Sequence, residues 1–450
     1  MKLLLINAVN VEEEIETRYP PLGLAYLSSY LKKHLPGTIV KIVSAEISSE
    51  LDSFKPDIVG ISAVTQNFGI ATRYAKEAKD KGYLVVLGGV HISTLPESLP
   101  KYVDVGVISE GEQTFLEILR RYPQTDFESI EGVVFWKDDT TLTTTSPQEL
   151  IEDLDSIPFP DRDALRLGKH AYIMTSRGCP FKCRFCSSAR FWGRARFASA
   201  EYVANEISLL VQEMGIKRIT IYDDLFTAKK PRLRRLVELL EEKQITSRVK
   251  FSCHSRVDIT DEEIISLLKR MGVVSIGFGL ESGNERVLQF LKGESIHLLD
   301  SVRATRLAKK YGLFVNGSFI IGSPDETEEE ILDTYNFMKK LPLDSVDVYV
   351  ITPFPGTYFW EIASRKQLVS HDMNWDKLNV NFTKTGKNAI ILSDSLSYDE
   401  ILNLYRRFRR FALLKIIMRS WRHPFFADIP MMLVKRIMGY LCLIFKIKPK

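Results

Sequence analysis

The chain has 450 residues, 45% of them hydrophobic, and a formal net charge of +4. That length buries two or three ordinary cores, while five cysteines, three of them within one short stretch, exclude a secreted disulfide framework. Charge is uneven: from Ile401 onward twelve Lys/Arg face one acidic residue, so residues 1–400 are mildly acidic, which argues against a nucleic-acid enzyme with a basic surface around its site.

Taken in chain order, the first residues (Met1-Lys-Leu-Leu-Leu-Ile-Asn) turn polar too soon for a signal peptide and read as a buried strand. Residues 1–125 alternate short apolar runs at 2–7, 40–43, 57–62, 83–87 and 103–108 with helical stretches at 22–34, 68–81 and 112–121. This βαβ rhythm predicts a doubly wound, Rossmann-like domain. Glycine and polar residues crowd the predicted carboxyl ends of its strands, at Ser62 to Asn67, Gly88 to His91 and Ser109 to Glu112. No Gly-x-Gly-x-x-Gly follows the first strand and no Walker-type Gly-Lys-Ser/Thr occurs, so nucleotide phosphate is not the expected ligand.

Residues 126–170 read as a connector, with a small hairpin near 132–145 and an extended run around Pro158 and Pro160. Residues 171–390 return to alternation, with strands at 171–176, 218–222, 250–253, 274–279, 315–321 and 345–351 and longer helices between them. Six β/α units predict a partial parallel barrel whose active groups stand at the carboxyl ends of its strands. Residues 391–450 form a basic, amphipathic, helical tail. Ile401, Leu404, Tyr405, Phe408 and Ala412 share one face there, with arginines opposite.

The loop after the first barrel strand carries Cys179, Cys183 and Cys186, spaced Cys-x3-Cys-x2-Cys. Such thiolates suit an iron–sulfur cluster or zinc, but a structural zinc site closes with four ligands, and no fourth stands at finger spacing. Thiolates awaiting iron need a reducing compartment, so the cytoplasm is expected. With Phe185 just before the last cysteine, the pattern resembles the radical S-adenosylmethionine (radical SAM) family. The resemblance implies a 4Fe–4S cluster whose open iron chelates SAM, and reductive cleavage to a 5′-deoxyadenosyl radical.

On the same resemblance, Asp223 and Asp224 at the second strand end are candidates for the SAM α-amino group; solvated or capping carboxylates are the alternative. Glu281 and Ser282, in Gly277-Phe-Gly-Leu-Glu-Ser-Gly283, resemble the segment that contacts the ribose or amino-acid part of SAM. Gly322 lies in a segment that resembles the family's turn shaping the wall near adenine. Arg256 either meets the SAM carboxylate or forms a surface ion pair with Asp258. Cys253 and His254 read as buried or structural groups.

Residues 1–390 as a whole resemble radical SAM proteins with an amino-terminal cobalamin-binding domain, the branch of anaerobic magnesium-protoporphyrin ester cyclase and of methylases of unactivated carbon. The carrying segments include Tyr19-Pro-Pro-Leu-Gly-Leu-Ala25, Gly88-Gly-Val-His91 and Ser109-Glu-Gly-Glu112. The implied cobalamin contacts are Leu22, Gly23, Ser62, Thr65, Gly88, Gly89, His91, Glu110 and Gly111, with a structural loop histidine as the alternative for His91. Residues 44–50 hold no histidine of the kind that ligates cobalt in the mutases, so the resemblance implies cobalt without such a ligand.

The expected fold class is therefore α/β: a doubly wound cobalamin-binding domain (1–125), the connector, a partial (β/α)6 barrel and a helical carboxyl-terminal region. The expected activity is methyl transfer to an unactivated carbon of a small-molecule substrate, with radical cyclisation or rearrangement as the alternative and a cobalamin or redox sensor as the non-enzyme reading. An electron donor such as flavodoxin or ferredoxin is the implied partner, and no nucleic acid. The tail suits a peripheral membrane surface and hence a lipid or hydrophobic substrate, or else packs as a helical layer on the barrel.

Overall fold

The computed structural model describes residues 1–11, 19–45, 47–124, 126–165 and 167–419, which divide into two compact units. The first comprises Met1–Gly168 together with Ser187–Ala198 and Phe354–Leu378. Its sheet contains β1 (Lys2–Ala8), β2 (Ile39–Val43), β3 (Ile58–Ala63), β4 (Leu84–Gly88), β5 (Val105–Val107), β6 (Val133–Trp136) and β7 (Leu142–Thr144), in the order β2-β1-β3-β4-β5-β6-β7. The first five are parallel and the last two antiparallel.

Leu3, Leu4, Leu5 and Ile6 of β1 are all fully buried, as expected of a central strand covered on both faces. Helices Leu22–His34 and Gly111–Arg121 contact each other, as do Ile47–Phe54 and Phe68–Asp80, giving the two layers that flank a doubly wound sheet. The chain runs from β1 outward to β2 and then reverses to β3, so the switch in winding falls between β1 and β3. The predicted hairpin of the connector is the pair β6–β7, and it is more than a connector because it completes the first sheet.

The second unit comprises Lys169–Cys186, Ser199–Pro353 and Asn379–Lys450. Six strands, β8 (His170–Ile173), β9 (Arg218–Ile221), β10 (Lys250–Ser255), β11 (Val273–Glu281), β12 (Phe314–Ile321) and β13 (Ser345–Val350), lie in sequential order and all parallel. β8 and β13 are not paired, so the barrel is open. Four of the intervening helices start at side-chain caps: Ser199, Asp261, Asn284 and Thr327 each accept a backbone N–H of the following turn.

Helix Tyr398–Arg419 lies along β13. Ile401, Leu404, Tyr405, Phe408 and Ala412, the predicted apolar stripe, are buried there with Leu413. This part of the tail is a layer of the second unit and its stripe does not lie free for a membrane. A further apolar run in the tail sequence, residues 429–445 with Lys435 and Arg436 interrupting it, lies outside the described residues. Among the described residues no helix is long and apolar enough to cross a membrane.

Candidate active site

Alternation along the barrel strands divides apolar from polar side chains. Phe251, Cys253, Ile276, Phe278, Val315, Phe319, Val346 and Val348 are buried on one face. The opposite face carries His170, Thr220, Ser252, His254, Asn316, Ser318 and Asp347, and their hydrogen bonds run from strand to strand. His170 Nε2 meets Thr220 Oγ1 at 2.9 Å and Thr220 Oγ1 meets Ser252 Oγ at 2.9 Å. Asn316 Nδ2 donates to Asp347 Oδ2 at 3.1 Å. Gly277 pairs with His254 in register, and a Cβ on it would stand 2.5 Å from the imidazole, so the missing side chain makes room for the ring. His254 is exposed yet enclosed by protein; that enclosure lowers its pKa and Asp347 opposes the shift. The periodicity of the strands could have revealed this polar inner face, but sequence reading took His254 as structural.

Above β8 the chain turns into the three-cysteine loop. Its base is anchored by Asp223, at the end of β9. The Thr175 N–H and hydroxyl each donate to this carboxylate at 2.5 Å, and the Ser176 hydroxyl donates at 2.7 Å. Asp223 is only 5% exposed, and burial raises its pKa against those hydrogen bonds. It is a strut for the loop, whereas its neighbour Asp224 is exposed and near enough to Cys179 to help burial raise that thiol's pKa. The loop's far side is held by the helix Glu285–Lys292, where the Arg184 N–H donates to Leu291 O at 2.9 Å and the Arg184 guanidinium covers Phe290.

Cys179, Cys183, Cys186 and Phe185 are all partly exposed, and the cysteines are free of disulfides, while Cys253 is buried and its thiol pushed up to about 12. Among the described residues no three His, Cys, Asp or Glu side chains converge as one ion would require. A cubane takes each thiolate on a different iron, so three thiols spread along one loop fit a cluster better than a single ion.

Arg256 stands behind this loop and not in open space. Its Nε lies 2.9 Å from Asp258 Oδ2, Nη1 lies 3.2 Å from Cys183 Sγ, and Nη2 reaches Lys292 O at 3.4 Å. The expected alternative, an ion pair with Asp258, is present, but it is buried and not on the surface.

At the end of β11 the register shifts and Glu281 takes a left-handed φ of 60°, a strained conformation for a residue with a side chain. Its carboxylate folds back over Gly279, where a Cβ would lie 2.2 Å from Oε1, and faces Lys292 Nζ at 3.5 Å. Burial raises the Glu281 pKa and Lys292 opposes it. Lys292 was not singled out from sequence. Ser282 is fully buried, its hydroxyl engaged with Thr334 and the Asn284 N–H, so it shapes the turn and presents nothing outward. Gly322, at φ 83°, and Ser323 both donate backbone N–H groups to Glu326 Oε2. Glu326 is buried, and that burial pushes it up to about 7.

In the first unit the winding switches between β1 and β3, and the carboxyl ends of these strands are where such a sheet takes a ligand. Gly23 and Val64 are exposed there, and Ser62, Gly88 and Gly111 are half-buried. Leu22 is buried at the start of its helix. Gly89 has φ 99°, and a Cβ would stand 2.6 Å from Ala63 O, so this glycine serves a close approach of two loops.

Three expected contacts are turned inward. His91 is fully buried between Phe68 and Trp375, with Nδ1 3.2 Å from Thr65 Oγ1 and Nε2 2.9 Å from Ser98 Oγ. Thr65 is thereby engaged as well. Glu110 receives both Arg196 Nη atoms, at 2.8 and 2.9 Å, and the Ile151 N–H at 3.0 Å. These side chains build the core because long-range partners at 196 and 375 close over them. The exposed valine and the open glycine edges at these strand ends leave room for a flat corrin.

A doubly wound unit with a switch point, and an open barrel with a three-thiol loop at a strand end, define a two-unit α/β enzyme of cluster chemistry. Residues 173–338 match the Radical SAM superfamily and residues 11–119 the B12 binding domain. The chain is 37% identical over 400 residues to an uncharacterised methyltransferase of Pyrococcus horikoshii, covering 84% of this chain and 86% of that one. It is 28% identical to the anaerobic magnesium-protoporphyrin IX monomethyl ester cyclase of Cereibacter sphaeroides, over 88% of this chain and 68% of the other. The fold is shared with the radical SAM methyltransferase TsrM of Kitasatospora setae, at TM-score 0.69 and 19% identity over 81% of this chain and 75% of that one. The chain belongs to the cobalamin-binding radical SAM enzymes, whose cofactors are a 4Fe–4S cluster, SAM and cobalamin.

Proposed function

We propose that this enzyme transfers a methyl group to an unactivated carbon of a small-molecule substrate. The observation that supports this most is the presence in one chain of the three-thiol loop and a doubly wound, B12-binding unit. When bound, the cluster supplies the electron for SAM cleavage and cobalamin a methyl carrier. Cys179, Cys183 and Cys186 hold the cluster. Asp224 and Glu281 address the α-amino group of SAM, Phe185 and Gly322 line its surroundings, and Asp223 and Ser282 fix the loops that present them. Gly23, Ser62, Val64, Gly88 and Gly111 hold the corrin. Cobalamin binding thus falls to the first unit and SAM cleavage to the second. A flavodoxin- or ferredoxin-like protein supplies the reducing electron.

The test is anaerobic turnover of the loaded chain with methyl-deuterated SAM and a small-molecule extract, read by mass spectrometry. Labelled methyl in a product, with equal 5′-deoxyadenosine and S-adenosylhomocysteine, is the expected result. Deoxyadenosine without S-adenosylhomocysteine would replace methyl transfer by the cyclisation that the cyclase relative suggests.

A further inference from the structure

Arg256 packs against the cysteine loop and donates a hydrogen bond to the sulfur of Cys183. It is 5% exposed, and four neighbours fix its guanidinium. Asp258 takes Nε, Lys292 O takes Nη2, the Phe181 ring lies 4.0 Å below the plane, and Nη1 is left pointing at Cys183 Sγ, 3.2 Å away. Phe181 lies between Cys179 and Cys183, and Lys292 ends the helix that holds the loop's far side. The arginine is therefore locked to the loop from both sides, and its charge cannot swing away to a ligand without breaking a buried pair with Asp258.

We propose that Arg256 is a positioning residue that sets the reduction potential of the cluster through Cys183. The proposal rests on the cluster reading above. One-electron reduction adds negative charge to the cluster and its thiolates. A cationic N–H donor on one sulfur stabilises the more negative state and so raises the potential, since hydrogen bonds to sulfur and local charge are among the protein's controls on such centres. Asp258 tempers that charge by pairing with the far side of the guanidinium. Lys292 Nζ, turned to Gly279 O and Glu281, adds a second cation whose carboxylate partner offsets it. Arg256 thus makes the cluster easier to reduce, and Asp258 limits how much.

The experiment is potentiometric titration of the full chain, reconstituted anaerobically and followed by electron paramagnetic resonance, alongside iron analysis and SAM affinity. Arg256→Met should move the midpoint to more negative potential and Arg256→Lys should move it less, because the lysine keeps the charge but loses the fork. Asp258→Asn should move it the opposite way, and this opposite sign tests the proposal even if the Met variant fails to take up iron. SAM affinity should stay within about twofold of wild type in the loaded variants. Midpoints equal to wild type at full iron content would overturn the proposal. So would a tenfold loss of SAM affinity with an unmoved midpoint, which would make Arg256 a clamp for the SAM carboxylate. A wild-type chain that takes up no iron would overturn the cluster reading, and iron content alone separates that failure from the others.

Discussion

His91 sits in a Gly-Gly-Val-His segment at the end of a strand, where sequence reasoning weighs a corrin contact against a structural histidine, and the fold closes Phe68 and Trp375 over it. Burial lowers its pKa to about 3. An imidazole whose folded pKa is depressed contributes stability above its unfolded value near 6.5, and that contribution is lost as pH falls from there toward 3. Between pH 6.5 and 5 the loss amounts to roughly 2 kcal/mol, at about 1.4 kcal/mol per pH unit. Urea unfolding followed by tryptophan fluorescence should show that loss as the difference in pH slope between the wild-type apoprotein and His91→Gln, because buried Glu326, raised to about 7, adds stability as pH falls over the same range in both. Equal pH slopes in the two proteins would mean the ring stays accessible to protons. No local pattern distinguishes this histidine from a cofactor ligand, because the tryptophan that encloses it comes from the far end of the chain.

At the scale of one element, β11 concentrates more of the site than any other strand. Its glycines at 277 and 279 and the carboxylate at 281 were legible as a Gly-x-Gly-x-Glu segment, since such a run is poor packing material for a buried strand. The bulge, the left-handed backbone at Glu281 and the partnership with Lys292 were not. The short helix Glu285–Lys292 shows too few turns to stand out by period, and register shifts leave no mark in composition. Gly279→Ala should push the Glu281 carboxylate out of its fold-back, because the collision is with the mobile end of that side chain and not with backbone. SAM affinity should then fall by about tenfold or more, the worth of one charge-assisted contact, with iron content and circular dichroism unchanged. Undiminished affinity would show that Glu281 braces the loop without touching SAM.

At the scale of the whole molecule, the alternating strands and helices were legible almost throughout, including the change from a doubly wound sheet to a sequential barrel. The composition of the two units was not. The segment just after Cys186 and the segment just after β13 belong to the first unit, and such assignments depend on contacts between distant residues that leave no local period. Arg196 of one inserted segment pairs with Glu110, both side chains 4% exposed. Breaking a buried pair by removing one partner costs roughly 3–5 kcal/mol. A fragment of residues 1–168 should therefore melt well below the first unit of the full chain, and Glu110→Leu should recover part of the difference in the fragment while destabilising the full chain. A fragment as stable as the intact unit would show that the inserted segments contribute nothing.

That interleaving also bears on how such enzymes can be recombined. A chimera joined at a single crossover near residue 168 would inherit Glu110 from one parent and Arg196 and Trp375 from the other. The cobalamin-binding unit would then depend on two parents agreeing at its most buried charges and around its enclosed histidine. Exchange of the unit as a working module requires three segments to travel together, so its inheritance is tied to that of the loop that holds the cysteines.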